Sequence, residues 1–121
     1  MTITIKTMIQ NGLHFGHSRQ VWNPKMTPYI YMESNNIHII DLIQTYSHLK
    51  QVLRFLANSA AQGKTILFVG TKRQSSKLVA KIAKRCQSFF VTERWLGGLL
   101  TNWSTVQKSI AKLNEIGRAH V

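Results

Sequence analysis

Two histidines are the residues of this chain best suited by type and spacing to bind a metal ion. His14 and His17 stand three positions apart, and on a helix face that spacing could bring both imidazoles to one zinc ion. Gly16 lies between them, however, and the sequence has no second pair of ligands. We therefore interpret both histidines as structural or RNA-facing residues, and we expect no metal site.

A second stretch has the pattern of an anion-binding corner. Residues 65–69, TILFV, are apolar or β-branched and do not alternate, which is typical of a strand buried on both faces of a parallel sheet. Gly70 ends this run, and Thr71 with Gln74 three positions later forms a capping box that predicts the start of a helix. A strand, a glycine turn and a helix start form the corner at which α/β proteins usually bind anions.

The chemistry at this corner depends on Lys72 and Arg73, whose charge could meet a phosphate group. The alternative is a plain structural turn with two solvated basic residues, and this stretch by itself favours that alternative. Gly70, Thr71 and Lys72 lack the first glycine and the spacing of a P-loop.

No catalytic set is evident in the sequence. No serine occupies a nucleophile elbow, and the four acidic residues are scattered along the chain. We expect no enzyme activity and no cofactor. A nucleotide-binding α/β enzyme fragment, with Gly70, Thr71 and Lys72 as its phosphate cradle, is the alternative hypothesis.

The charge balance indicates the class of partner. The 121 residues include 16 lysines and arginines against four acidic residues, a net charge of +12, and 44% of them are hydrophobic. This length allows one domain at most, and such a surface attracts phosphate, which favours binding to RNA. We expect no membrane association, because the sequence lacks both an apolar stretch of about 18 residues and a basic amphipathic anchor. The single cysteine, Cys86, indicates a reducing compartment, and the first residues resemble neither a signal nor a transit peptide.

Two aromatic and basic segments could contact RNA. The first, residues 19–28, contains two prolines, which we expect to prevent regular structure. The second lies just before Gly97 and Gly98. It places the guanidinium of Arg94 beside the indole of Trp95 in the chain, which suits phosphate and stacking contacts with RNA. A loop in which Trp95 fills a hydrophobic gap is the alternative for the second segment. The residues concerned are Arg19, Trp22, Lys25, Arg94 and Trp95.

The elements that must position these residues follow from local patterns. Thr4 is expected to cap a short helix that ends at residue 10. Residues 29–32 and 37–40, joined by two asparagines, predict a β-hairpin.

A long helix follows the hairpin. Asp41, with Gln44 three positions on, is expected to cap a helix over residues 42–62. One face of this helix is apolar at spacings of three and four, and we expect that face to be core. It consists of Leu42, Tyr46, Leu49, Leu53, Leu56 and Ala60.

A basic helix over residues 73–86 is predicted to follow the strand at residues 65–69. A second buried strand is predicted after it, at residues 89–92. Its expected inner residues are Leu78, Val79, Ile82, Ala83 and Cys86, and its outer residues are Lys77, Lys81, Lys84 and Arg85. Like charges at these spacings destabilise a free helix by some tenths of a kcal/mol per pair. A polyanion beside the helix would remove this repulsion and attract the same four residues. Ser104 with Gln107 is expected to cap a last helix.

Six segments of the chain resemble one protein family in order and spacing. They are HFGH at 14–17, WNPKM at 22–26, PYI at 28–30, IHIIDL at 37–42, ILFVGTK at 66–72, and RWLGG at 94–98 with LTN at 100–102. The chain resembles the bacterial and organellar type of the second protein of the small ribosomal subunit, over residues 5 to about 114. It is most similar to plastid members.

The resemblance implies a Rossmann-like or flavodoxin-like parallel sheet with flanking helices, here incomplete. Family members are roughly twice as long, and they continue through a helical hairpin into further strands. The implied role is a structural constituent of the small ribosomal subunit that binds ribosomal RNA and neighbouring proteins, including ribosomal protein number one. The implied location is the plastid ribosome, with the bacterial cytoplasm or the mitochondrion as alternatives.

The resemblance and the local patterns together predict the bounds of the domain and the residues that contact RNA. We expect residues 1–115 to be the N-terminal part of a single α/β domain. Residues 116–121 resemble no helix continuation in the family, so we expect them to be a non-native tail. The expected phosphate contacts are Arg19, Lys25, Lys72, Arg73 and Arg94, and the expected loop-shaping or stacking residues are His14, His17, Trp22 and Trp95.

Overall fold

The structure, a computed structural model, describes residues 3–119. The chain divides into two compact units, Met1–Lys64 and Thr65–Val121.

The first unit consists of two helices and a three-stranded antiparallel sheet in the order β1-β3-β2. Thr4 caps its first helix as predicted, because the Thr4 hydroxyl accepts a hydrogen bond from the backbone N–H of Thr7 at 3.2 Å. The elements in chain order are α1 (Ile5–Gln10), β1 (Phe15–Ser18), a 3-10 helix (Pro24–Tyr29), β2 (Ile30–Ser34), β3 (Ile37–Ile40) and α2 (Leu42–Ala61).

The predicted hairpin of β2 and β3 is confirmed. Asn35 and Asn36 have φ angles of 52° and 62°, the left-handed values that a two-residue hairpin turn requires and that asparagine tolerates. Strand β1 was not predicted, and it pairs with β3. Gly16 permits this pairing, because a Cβ at that position would lie 2.9 Å from the carbonyl oxygen of His38.

The segment expected to be irregular contains a 3-10 helix, so that prediction was wrong. Pro24 occupies the first turn of this helix, where a missing backbone N–H costs nothing. The side chain of Asn23 accepts a hydrogen bond from the backbone N–H of Lys25 at 3.0 Å and so caps the helix. The prolines therefore restrict the segment without preventing regular structure.

The predicted cap of α2 is confirmed. Oδ1 of Asp41 accepts a hydrogen bond from the N–H of Ile43 at 3.1 Å, and Oδ2 accepts one from the side-chain amide of Gln44 at 2.9 Å. The helix ends just before Gly63, whose φ of 72° breaks the helical path.

The apolar face of α2 was expected to be core, and only its first part is covered. Leu42 is buried and Leu49 is half-buried, whereas Leu53 and Leu56 are exposed. Helix α1 packs against α2 and contributes the fully buried Met8. Because α1 has only six residues, it is too short to cover the whole length of α2.

The second unit contains two parallel strands and two helices. Its elements are β4 (Leu67–Val69), α3 (Ser76–Arg85), β5 (Phe89–Val91) and α4 (Trp103–Ala119). Strands β4 and β5 pair in parallel, with Leu67 opposite Phe89, and α3 packs against both. The parallel strands are thus confirmed. Their burial on both faces is not, because Leu67 and Phe89 are exposed.

The predicted start of α3 was wrong. The helix begins at Ser76 and its N-cap residue, Ser75, makes no side-chain cap hydrogen bond. A bend at residue 72 and a turn over residues 73–75 precede the helix instead, and the carbonyl of Lys72 accepts hydrogen bonds from the N–H groups of Ser75 and Ser76 at 3.0 Å. The pattern from Thr71 to Gln74 therefore marks a turn.

Two further details of the helices differ from expectation. Leu78 and Cys86 were expected to face inward and are exposed, whereas Ala83 is fully buried as expected. Helix α4 begins at Trp103, so Ser104 is not its cap. Asn102 precedes the helix, and its Oδ1 accepts a hydrogen bond from the Thr105 hydroxyl at 3.0 Å.

The α/β class is confirmed, because helices accompany an antiparallel sheet in the first unit and a parallel pair of strands in the second. Within residues 3–119 no helix is both long and apolar enough to cross a membrane. The single domain over residues 1–115 stays a prediction, and so does the non-native tail at 116–121. Helix α4 runs to Ala119, and the last two residues of that tail lie outside the described residues.

Candidate nucleic-acid interface

An open cavity lies beside the three-stranded sheet of the first unit. Its volume is about 300 Å³, and its wall combines residues of β1, β3 and the 3-10 helix. The apolar side chains of the wall include Met26, Ile30 and Ile40, and the polar ones are His17, Asn23 and His38. A mostly apolar wall with a few polar groups is the usual character of a small-ligand pocket.

An aromatic pair forms one side of this cavity. The rings of Trp22 and His38 stack with centroids 4.2 Å apart and planes 28° apart. His38 is only 6% exposed, and its Nδ1 is buried with no hydrogen-bond partner in the structure. His38 was not among the predicted site residues, because no local signal shows that a strand histidine stacks on a tryptophan 16 positions earlier in the chain.

The two histidines of the predicted pair differ in exposure. His14, just before the strand, is half-buried, and its carbonyl accepts a hydrogen bond from the N–H of Ile40 at 2.8 Å. His17, three residues later, is exposed. Within the described residues, no three His, Cys, Asp or Glu side chains lie together as a metal site.

The basic residues of the first unit are exposed. The N–H of Arg19 donates to the carbonyl of Asn36 at 2.8 Å, and its guanidinium lies 3.8 Å from a carboxylate oxygen of Glu33. An exposed ion pair of this kind contributes at most about 1 kcal/mol, so the guanidinium can readily exchange it for a phosphate. Lys25 is exposed on the 3-10 helix.

The second unit brings the other predicted site residues to one edge of its sheet. The N–H of Gly70 donates to the carbonyl of Val91 at 2.9 Å, so the chain leaves β4 and β5 at the same edge, as parallel strands require. The residues that follow the two strands are Lys72, Arg73, Arg94 and Trp95. The three basic ones are exposed and the indole is half-buried, so both interpretations of Trp95 stay open.

The outer face of α3 carries uncompensated positive charge. Its four basic residues, Lys77, Lys81, Lys84 and Arg85, are all exposed. The ammonium of Lys84 lies 5.7 Å from the ring centroid of Phe90, a distance at which a cation–π contact forms. Within residues 3–119 the pair of Arg19 and Glu33 is the sole ion pair within 4.0 Å, so no carboxylate neutralises this face.

Comparison with known proteins identifies the family. A model of the family described as ribosomal protein S2 matches residues 8–120. The chain is 63% identical over 115 residues to the small ribosomal subunit protein uS2c of Oltmannsiellopsis viridis, covering 95% of this chain and 48% of that protein. It is 60% identical over 117 residues to uS2c of Chlorella vulgaris, covering 97% of this chain and 44% of that protein.

The chain is also similar to relatives that are named uS2 and not uS2c. The small ribosomal subunit protein uS2 of Koribacter versatilis is 53% identical over 114 residues, which cover 94% of this chain and 38% of that protein. The chain thus spans about half, or less, of the length of the curated relatives it matches. Because the family model matches nearly the whole chain, the chain belongs to the ribosomal protein S2 family.

Proposed function

We propose that the chain is a structural component of the small ribosomal subunit, which binds ribosomal RNA and catalyses no reaction. The observation that carries this proposal is the family match over residues 8–120. The net charge of +12 supports it, because such a basic surface attracts a polyanion.

Binding draws mainly on contacts to phosphates. Arg19, Lys25, Lys72, Arg73 and Arg94 contact phosphate groups, and each contact releases counterions from the RNA. His14, His17, Trp22 and Trp95 shape the loops or stack on bases. Phosphate contacts carry no sequence information, so the affinity depends steeply on salt and little on sequence.

The proposed partners are small-subunit ribosomal RNA and neighbouring ribosomal proteins, including protein number one. The proposed location is the plastid ribosome, since the relatives from Oltmannsiellopsis viridis and Chlorella vulgaris are named as uS2c proteins. The similarity to the Koribacter versatilis protein keeps the bacterial cytoplasm as the alternative, together with the mitochondrion. No membrane and no small-molecule substrate are involved.

A nucleotide-binding enzyme fragment is not favoured. A phosphate cradle after β4 would need a helix start directly behind Gly70, and α3 begins only at Ser76. A Cβ at position 70 would lie 2.5 Å from Cγ2 of Val79, so this glycine serves the packing of the strand end against α3.

A direct comparison of two assays tests the proposal. The chain is tested for binding to ATP and GTP, and for cosedimentation with small ribosomal subunits at low and high salt. We expect no nucleotide binding, together with cosedimentation that high salt weakens. Tight nucleotide binding without cosedimentation would overturn the proposal.

A further inference from the structure

We infer that the cavity beside Trp22 and His38 holds an unpaired nucleobase of the bound RNA. This inference rests on the proposed binding of ribosomal RNA and adds to it the place where one base is held. The phosphate contacts alone do not require such a site, because they act on the backbone of the nucleic acid.

The wall of the cavity has the chemistry that a nucleobase needs. A base has two apolar faces and a polar edge, so it requires apolar side chains on its faces and hydrogen-bonding groups at its rim. Met26, Ile30 and Ile40 supply apolar contact, and His17 and Asn23 supply polar groups on the same wall. A phosphate would be poorly solvated there, and an aliphatic side chain would leave the polar groups without partners.

The size of the cavity agrees with a single base. Its volume of about 300 Å³ lies at the lower end of the range of about 300–1,000 Å³ for ligand pockets. Met26 and Phe15 on its wall are themselves exposed, so the cavity is open and can be reached by a base that has left its stack.

The buried histidine supports a site rather than plain core. His38 is 6% exposed and its Nδ1 has no hydrogen-bond partner, although buried polar groups in native proteins rarely lack one. A phenylalanine at this position could stack on Trp22 equally well without burying a polar atom that lacks a hydrogen bond. A hydrogen bond from the imidazole to the edge of the bound base would account for a histidine at this buried position.

The charge of the chain decides between RNA and protein as the source of the ring. An aromatic side chain from a protein could fill the same space, but the net charge of +12 draws RNA to the surface first. Lys25 lies between two residues of the wall, Asn23 and Met26, and is exposed. We place its ammonium near the phosphate of the nucleotide whose base enters the cavity, since Lys25 is a chain neighbour of that wall.

The test fills the cavity without removing a buried contact. In Met26→Trp a larger side chain replaces an exposed one on the wall, and Met32→Trp makes the same change at an exposed position of β2 outside the cavity. The 121-residue chain and both variants are bound to purified small-subunit ribosomal RNA. Affinity is measured over a range of salt, and dimethyl sulfate reports which adenine and cytosine edges are protected.

We expect the unmodified chain and Met32→Trp to protect the same unpaired base or bases. Met26→Trp should restore their reactivity and weaken binding about tenfold, the effect typical of losing one base–aromatic contact. Its salt dependence should stay the same, because its phosphate contacts remain. Equal protection by Met26→Trp and Met32→Trp would overturn the cavity site alone, whereas no RNA binding by the unmodified chain would overturn both this inference and the proposed function.

A second variant guards against misfolding of Met26→Trp. His38→Phe keeps a ring for Trp22 to stack on and removes both ring nitrogens. It should retain the slow amide exchange of Ile40, which is hydrogen-bonded to His14, and should lose protection of the base. Full protection of the base by a folded His38→Phe would contradict the role assigned to the imidazole.

Discussion

Gly70 lies directly against Val79, at the point where β4 ends and the chain turns toward α3. A Cβ at position 70 would lie 2.5 Å from Cγ2 and 2.8 Å from Cβ of Val79. The glycine therefore allows α3 to approach the end of the strand, just before Lys72 and Arg73.

This contact predicts a cost for Gly70→Ala of about 1–3 kcal/mol in local stability, the usual cost of overpacking. Hydrogen exchange at the amide of residue 70, which is bonded to Val91, measures that cost. Gly97→Ala is the matched control, since a Cβ at Gly97 would meet no atom within 4 Å, and it should change little. Adding Val79→Ala to Gly70→Ala should recover part of the loss. Equal exchange in the Gly70 and Gly97 variants would show that the close contact does not matter.

The edge of the sheet in the second unit should carry part of the salt dependence of RNA binding. Replacing Lys72 and Arg73 by glutamine removes two phosphate contacts, so the slope of log K against log salt should become shallower by roughly 1.5. Lys108→Gln with Lys112→Gln, on the exposed side of α4, removes the same charge and should flatten the slope less. If both double variants change the slope equally, Lys72 and Arg73 make no specific phosphate contacts and this edge of the sheet has only a structural role.

The basic face of α3 should act through its summed charge. Lys81→Ala alone should be nearly silent, because one exposed charge is worth at most about 1 kcal/mol. Replacing all four basic residues of this face by glutamine should weaken association with the small subunit measurably. Unchanged association of the fourfold variant, with α3 still helical by circular dichroism, would assign this face to solvent.

The exposed apolar side chains predict that the chain by itself self-associates. In α4, Val106 is 8% exposed whereas Leu113 is 67% exposed, so the two residues should respond differently to the same change. Leu113→Ser should reduce self-association in sedimentation velocity without loss of helix. Val106→Ser should instead speed hydrogen exchange in the helix, because it removes a buried contact. A monomeric unmodified chain would contradict the prediction.

Local chemistry made some elements predictable from sequence. The cap of α2 by Asp41 and Gln44 uses side chains within one turn, and the turn at Asn35 and Asn36 uses residues that tolerate left-handed backbone. Such interactions depend on neighbours in the chain and need no knowledge of the fold. The motif resemblance likewise gave the family, because it depends on residue identity at fixed spacing.

Interactions between distant residues made the rest unpredictable. Thr71 and Gln74 match a capping box, but α3 begins only at Ser76 and packs closely on Gly70 through Val79. The stacking of Trp22 on His38 joins residues 16 positions apart in the chain, and neither position alone signals it. Leu53 lies on a helix face with the apolar spacing of a core face, yet it is exposed. Apolar spacing shows which residues can be buried, but it does not show whether another element packs on them.

The most direct test of the central claim is binding of the chain to small ribosomal subunits from which the endogenous ribosomal protein S2 has been removed, compared with intact subunits. Both are sedimented through sucrose with the labelled chain at moderate salt. The family assignment predicts saturable binding to the depleted subunits and little binding to the intact ones, because the endogenous protein occupies the site. Equal binding to both, as expected of any basic protein that sticks to RNA by charge alone, would contradict the account, and so would no binding to either.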